Sequence, residues 1–168
     1  MMLRPLVVFS SMFVAVAAGA DAPPSPSLAT VCSRANRTCA TLAGDHRSAL
    51  IWRKGAGGKR LPLWKTPVDS PRISVADNGR SLVEIYPGLT LLDRSAGPDT
   101  VVLVFHRPRA IPVRVRLSEV VARPAQLPKT ISHRQWARGY GFDDTGSFVL
   151  DTVEGRHIRF DPATGKRQ

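Results

Sequence analysis

Ile111, Val113, Val115 and Leu117 alternate with Pro112, Arg114 and Arg116, a period of two that puts the apolar side chains on one face of a strand. Ile158 and Phe160 alternate with His157 and Arg159 in the same way. Shorter apolar runs, Ala49–Trp52, Leu61–Trp64 and Val101–Phe105, lie between polar stretches rich in turn residues. Asn78-Gly79 and Thr145-Gly146 supply residues that accept positive φ, as tight turns between strands require. Fourteen prolines and thirteen glycines, spread along the chain, argue against long helices. Helical expectation is confined to Ser118–Ala122 and a second possibility around Ser132–Ala137. The pattern predicts an all-β antiparallel meander.

Three stretches share one layout: a polar turn, a strand, a connection, a second strand and a second turn. The first starts at Ser33 and runs through Thr38–Thr41 to Ala49–Trp52 and Leu61–Trp64. The second starts at Ala76 and runs through Leu82–Glu84 to Val101–Phe105 and Ile111–Leu117. The third starts at Asp143 and runs through Phe148–Asp151 to His157–Phe160 and the turn Asp161–Lys166. The third unit, ending in SFVLDTVEGRHIRFDPATGK, resembles a blade of the quinoprotein-like and WD40-like β-propellers. With its DNGRSLVEIYPGLTLL and TISHRQW segments, the chain also resembles small exported bacterial proteins, and that resemblance implies no established activity. Closed propellers usually have four or more blades, so three units predict an open or partly open sheet stack. A propeller fragment completed by self-association is the lesser alternative.

Ahead of these units, residues 1–20 carry one charge, Arg4, then the apolar stretch Leu6–Ala18 and the small residues Ala18-Gly19-Ala20. That is the layout of a secretory signal cleaved after Ala20, and its apolar core is shorter than the ~20 residues a membrane span needs. Residues 21–28 form a Pro/Ser-rich leader, and the all-β domain is expected over 29–167. The predicted location is secreted or periplasmic. The net charge of +11 falls to about +10 once Arg4 leaves with the signal.

Two cysteines exclude a disulfide-dense miniprotein and a four-thiolate zinc module. Six residues separate Cys32 from Cys39, and across a turn in an oxidising compartment the pair predicts a structural disulfide. Asn36-Arg37-Thr38 matches the N-glycosylation acceptor pattern. His46, His106, His133 and His157 show no metal-ligand spacing, and no HExxH or GxSxG motif occurs. Ser132 and His133, as neighbours on a strand, are expected on opposite faces, which disfavours a nucleophile–base pair. Asp143-Asp144 with Gly146 lacks the glutamate that an EF-hand loop requires. No cofactor and no metal are predicted.

Glu84 and Asp151 each stand eight residues after the start of their unit's turn, where the first unit has Thr41. Units stacked side by side would bring the two carboxylates together for acid–base work on a glycan-like substrate. The competing expectation is an ordinary strand position for each.

Positive charge gathers around the hairpins: Arg53, Lys54, Lys59 and Arg60 on the first, Arg107, Arg109, Arg114 and Arg116 on the second, and Arg156, Arg159, Lys166 and Arg167 on the third. Hairpins arranged alike would form one basic face for an anionic surface or polysaccharide, with Arg114, Arg116 and Arg159 as its centre. No nucleic-acid motif is present. Trp52, Trp64 and Trp136 are expected in the core, with residues such as Ile51, Leu63, Leu82, Ile85, Leu91, Val104, Val113, Phe148 and Phe160. The leading expectation is a non-enzymatic exported binding or structural module. The alternative is a small hydrolase using Glu84 and Asp151.

Overall fold

The structure, a computed structural model, describes residues 29–168. The predicted signal and leader therefore lie outside the described residues. The fold is all-β, with four antiparallel sheets, one short α-helix and neither a closed barrel nor a propeller among the described residues. The first sheet is β1 (Thr30–Cys32), β2 (Thr38–Leu42), β3 (Ser48–Lys54) and β4 (Arg60–Pro67), paired in chain order. Next come β5 (Ile73–Val75), β6 (Leu82–Ile85), β7 (Leu91–Asp93), β8 (Val101–His106), β9 (Val113–Arg116) and α1 (Leu117–Val120). The second sheet has the order β5-β6-β8-β9, while β7 pairs with β10 (His133–Gln135) in a two-stranded ribbon. The third sheet is β11 (Ala137–Phe142), β12 (Phe148–Thr152) and β13 (His157–Phe160), with a bridge from Phe160 to Arg167 at the place of a fourth strand.

The three repeated turns are the first hairpins of the three larger sheets. Each has its fourth residue at positive φ: Asn36 (56°), Gly79 (69°) and Gly146 (82°). That conformation is open to glycine and tolerated by asparagine, which explains the residue types found there. The first strand of the second sheet, β5, touches β1, β2 and β11, so the three sheets converge along their first strands.

The second sheet has a core on each face. Leu82 and Val75 pack with Ala40, Leu42, Ala49 and Ile51 of the first sheet. Val83, Ile85, Leu103 and Phe105 pack with Phe148, Leu150, Ile158 and Phe160 of the third. Alternation along β6 explains this division, since successive side chains point to opposite faces. Trp136 is fully buried and its Nε1 donates to the Leu89 carbonyl at 2.9 Å, so the ribbon closes the larger core.

Cys32 and Cys39 sit directly opposite each other on β1 and β2 and form the disulfide. On the chain-entropy estimate, closing so short a loop contributes about 2.5 kcal/mol. Three expectations are corrected. The possible helix around Ser132–Ala137 is β10 and the start of β11, because β10 finds a partner in β7. Leu63 is exposed because a register shift beside Trp52 leaves it without a cross-strand partner. Leu92 rather than Leu91 is the fully buried residue of β7.

Candidate functional site

Glu84 on β6 is 4% exposed and His106 on β8 is equally buried. Glu84 lies opposite Val104, so His106 is its diagonal neighbour across the strand pair, within reach for long side chains. The imidazole Nε2 lies 3.0 Å from Glu84 Oε2, and Nδ1 lies 3.1 Å from Thr66 Oγ1 on β4. Glu84 Oε1 accepts the Asp69 backbone N–H at 2.9 Å. The result is a hydroxyl–imidazole–carboxylate chain joining the first and second sheets, in the order used by nucleophilic hydrolases. Its setting differs from theirs. Thr66 is itself buried, and the small cavity beside Glu84, lined also by Asp69, Ser70, Tyr86 and Arg114, includes neither Thr66 nor His106. The chain therefore satisfies buried polar groups, as an interior network must.

Asp151 lies elsewhere. It is exposed on β12, bonds His157 Nδ1 at 2.7 Å, and lines a separate cavity with Arg34, Tyr140, Asp143 and Arg159. The expected Glu84–Asp151 pairing fails for a reason visible in the turns. In the second sheet the turn closes with the Ala76 N–H on the Ser81 carbonyl; in the third, Asp143 closes on Ser147, one residue sooner. Equal counts from the turn start thus land on opposite faces of the strand. Counted from the closing residue, Glu84 corresponds to Leu150 and to Thr41.

Ser132 and His133 also depart from expectation. Ser132 precedes β10, so its hydroxyl is free to turn back and meet His133 Nδ1 at 2.7 Å. The remaining ring nitrogen is 3.9 Å from Asp93, too long for a hydrogen bond, and the other Asp93 oxygen accepts from Tyr86 Oη.

The expected polyanion arginines are each matched to a carboxylate: Arg114 with Asp69 (3.5 Å), Arg116 with Asp99 (3.0 Å) and Arg159 with Asp143 (2.8 Å). Arg114 and Arg159 line different cavities. Asp143 is held below its usual carboxyl pKa of 3.8. The Thr145 hydroxyl is the largest cause, with the Ser147 and Thr145 amides and the Arg159 charge adding to it. A depressed folded pKa contributes stability above the unfolded value that is lost as pH falls through the folded one. Asp143→Asn should therefore flatten the acid limb of a stability-against-pH curve below about pH 4; an unchanged limb would contradict this.

Free positive charge collects at the seam of the first two sheets. Arg37 follows the first turn of the first sheet, Arg53 and Lys54 end β3, and Asp77 and Asn78 form the first turn of the second sheet. Together with Asn36 they line a cleft of about 560 Å³. Lys54 Nζ donates to Asn36 Oδ1 at 2.6 Å and Arg53 donates to the Asn78 carbonyl at 3.1 Å. Asp77 Oδ1 accepts the Ala35 N–H. Among the described residues none of the three cations is ion-paired. Sequence reading placed Arg53 and Lys54 in a basic cluster but missed Arg37, whose approach to them depends on sheet packing. The chain matches no protein-family model and no curated protein sequence.

Proposed function

We propose that this protein is an exported, non-enzymatic binding module for anionic ligands, with the inter-sheet cleft of Arg37, Arg53 and Lys54 as its site. The observation that carries the reading is three unpaired cations converging on one cleft, while the arginines of β9 and β13 already have aspartate partners. Both sides of the cleft are turn or strand-end residues held by hydrogen bonds between the sheets, including Thr38 Oγ1 to the Asp77 carbonyl at 2.8 Å, so the cations are arranged before a ligand arrives. A repeating anion such as an acidic polysaccharide suits a cationic cleft of this kind. The Cys32–Cys39 disulfide fits an oxidising compartment, and the signal-like residues 1–20 support export.

The test compares two variants of identical net charge. Reversing Arg37, Arg53 and Lys54 to Glu should abolish retention on heparin beyond that on a plain sulfonate exchanger. Reversing Arg114, Arg116 and Arg159 should keep that excess. Salt should elute the wild type within roughly 0.1–0.5 M as screening tightens. Equal elution of both variants from both matrices would refute a specific site.

A further inference from the structure

We infer that the anion taken by the inter-sheet cleft is a sugar acid with its hydroxyls free, a uronate unit, and that Asp77 accepts a hydrogen bond from one of those hydroxyls. The inference rests on the reading of Arg37, Arg53 and Lys54 as the ligand site. It concerns Asp77, the one acidic residue among the six that line the cleft. Elsewhere on this chain aspartates pair with arginines, as Asp69 does with Arg114, Asp99 with Arg116 and Asp143 with Arg159. Asp77 shares its cleft with three cations, and among the described residues it is ion-paired with none of them. Its charge lowers the pull of the cleft on any anion. A site that selected by charge alone would be better without it.

The hydrogen bonds around Asp77 define what it still offers. Oδ1 accepts the Ala35 N–H at 2.9 Å across the seam from the first sheet, which fixes the carboxylate. The Asp77 carbonyl accepts the Thr38 hydroxyl at 2.8 Å, and the Asn78 carbonyl accepts from Arg53 at 3.1 Å. Among the described residues Asp77 Oδ2 has no partner, and a carboxylate oxygen can only accept. The two amides of the cleft are set the opposite way. Asn36 Oδ1 accepts from Lys54 Nζ and Asn78 Oδ1 accepts the Arg80 N–H at 2.8 Å, so each amide has its NH2 donors to spare. The cleft thus arranges charged and neutral donors around one negative acceptor.

A matching ligand carries negative charge and donates from a hydroxyl close beside it. A polyphosphate or a densely sulfated glycan presents oxygens that mainly accept, and sets its charge against Asp77. A uronate keeps both functions on one ring, because its carboxylate does not replace a ring hydroxyl as a sulfate ester does. All six lining side chains are polar, so there is no aromatic ring for a nucleobase to stack on and no apolar side chain for an acyl tail. The volume of about 560 Å³ is that of a small-ligand site.

The experiment is calorimetric titration of wild type and Asp77→Asn at equal ionic strength. Its probes are tetragalacturonate, the same tetramer with its hydroxyls methylated and its carboxylates free, and inorganic tripolyphosphate. Asparagine keeps an oxygen for the Ala35 N–H, and circular dichroism checks that the fold is unchanged. Asp77→Asn should bind tetragalacturonate about ten- to a hundredfold more weakly than wild type, the worth of a charged hydrogen bond. The same substitution should tighten tripolyphosphate binding, because a repelling charge is gone. Methylation should weaken binding to wild type by a similar factor, a comparison that needs no variant to fold. An Asp77→Asn protein that binds both anions more tightly would overturn the inference while leaving the cleft as a site that reads charge alone. Wild type that is indifferent to methylation, or that binds tripolyphosphate but not tetragalacturonate, would do the same. Failure of the cleft itself looks different: the Arg37→Glu/Arg53→Glu/Lys54→Glu variant would bind every probe as wild type does, and both readings would fall.

Discussion

Truncating His106 or Glu84 to alanine should cost about 2–6 kcal/mol, since each change leaves two buried hydrogen-bonding groups unsatisfied at about 1–3 kcal/mol apiece. Each removal strands groups on two sheets. His106→Ala frees Glu84 Oε2 and Thr66 Oγ1; Glu84→Ala frees the imidazole and the Asp69 amide. Against a total stability of about 5–15 kcal/mol for a domain of this kind, such a loss would remove a large share of the folded state's margin. Denaturant unfolding followed by tryptophan fluorescence measures it. Glu84→Gln, which keeps hydrogen-bonding capacity, should cost less than Glu84→Ala. The double variant Glu84→Leu/His106→Leu should recover part of the loss by removing both unpaired groups. A Glu84→Gln variant that costs as much as Glu84→Ala, with no recovery in the double variant, would contradict an account based on stranded hydrogen-bonding groups.

Phe105→Ala should be comparably severe, about 3–5 kcal/mol for a fully buried phenylalanine. Phe105 stands on the second sheet with its ring centroid 5.7 Å from Phe148 and 5.4 Å from Phe160, both on the third. Phe148 in turn meets Phe142 edge-on at 5.3 Å. The truncation opens a void among rings that cannot all move inward, because each is fixed to a paired strand. A double-mutant cycle of Phe105→Leu with Phe160→Leu should show coupling on the order of 1 kcal/mol, as direct neighbours do. Additive losses would mean that the two sheets are not locked together by these rings.

The turns and the longer strands were legible because their signals are local. Asn78-Gly79, Thr145-Gly146 and the Ile111–Leu117 alternation are read from adjacent residues. Both turns form as expected, and of the alternating run the strand keeps Val113–Arg116, with Ile111 88% exposed ahead of it and Leu117 opening α1. The first strands β1 and β5 escaped because three residues are too few to show a period. In β11, Gly139 and Gly141 dilute the strand signal. The β7–β10 pairing joins segments far apart in the chain, which no window of sequence can reveal. Of the buried network, Glu84 was singled out, but for a partnership with Asp151 that one missing turn residue rules out. Its actual partners, His106 and Thr66, follow from strand register and from the packing of one sheet on another. The cationic cleft was half visible for the same reason: Arg53 and Lys54 are neighbours in sequence, and Arg37 is a neighbour only in space.

A middle sheet with a core on each face makes the order of opening unequal along the chain. The first and third sheets meet each other through the exposed Arg34–Asp144 ion pair, but each packs its core on the second. Contacts are therefore lost from the flanking sheets inward, and the second sheet cannot detach while both stay folded. Of the two ends, the first sheet rests on the smaller cluster and is the weaker hinge of the stack. The only covalent crosslink among the described residues ties β1 to β2 within that sheet. The bond therefore guards the terminal leaf most prone to peel away, and with it one wall of the cleft in which Arg37, Arg53 and Lys54 meet.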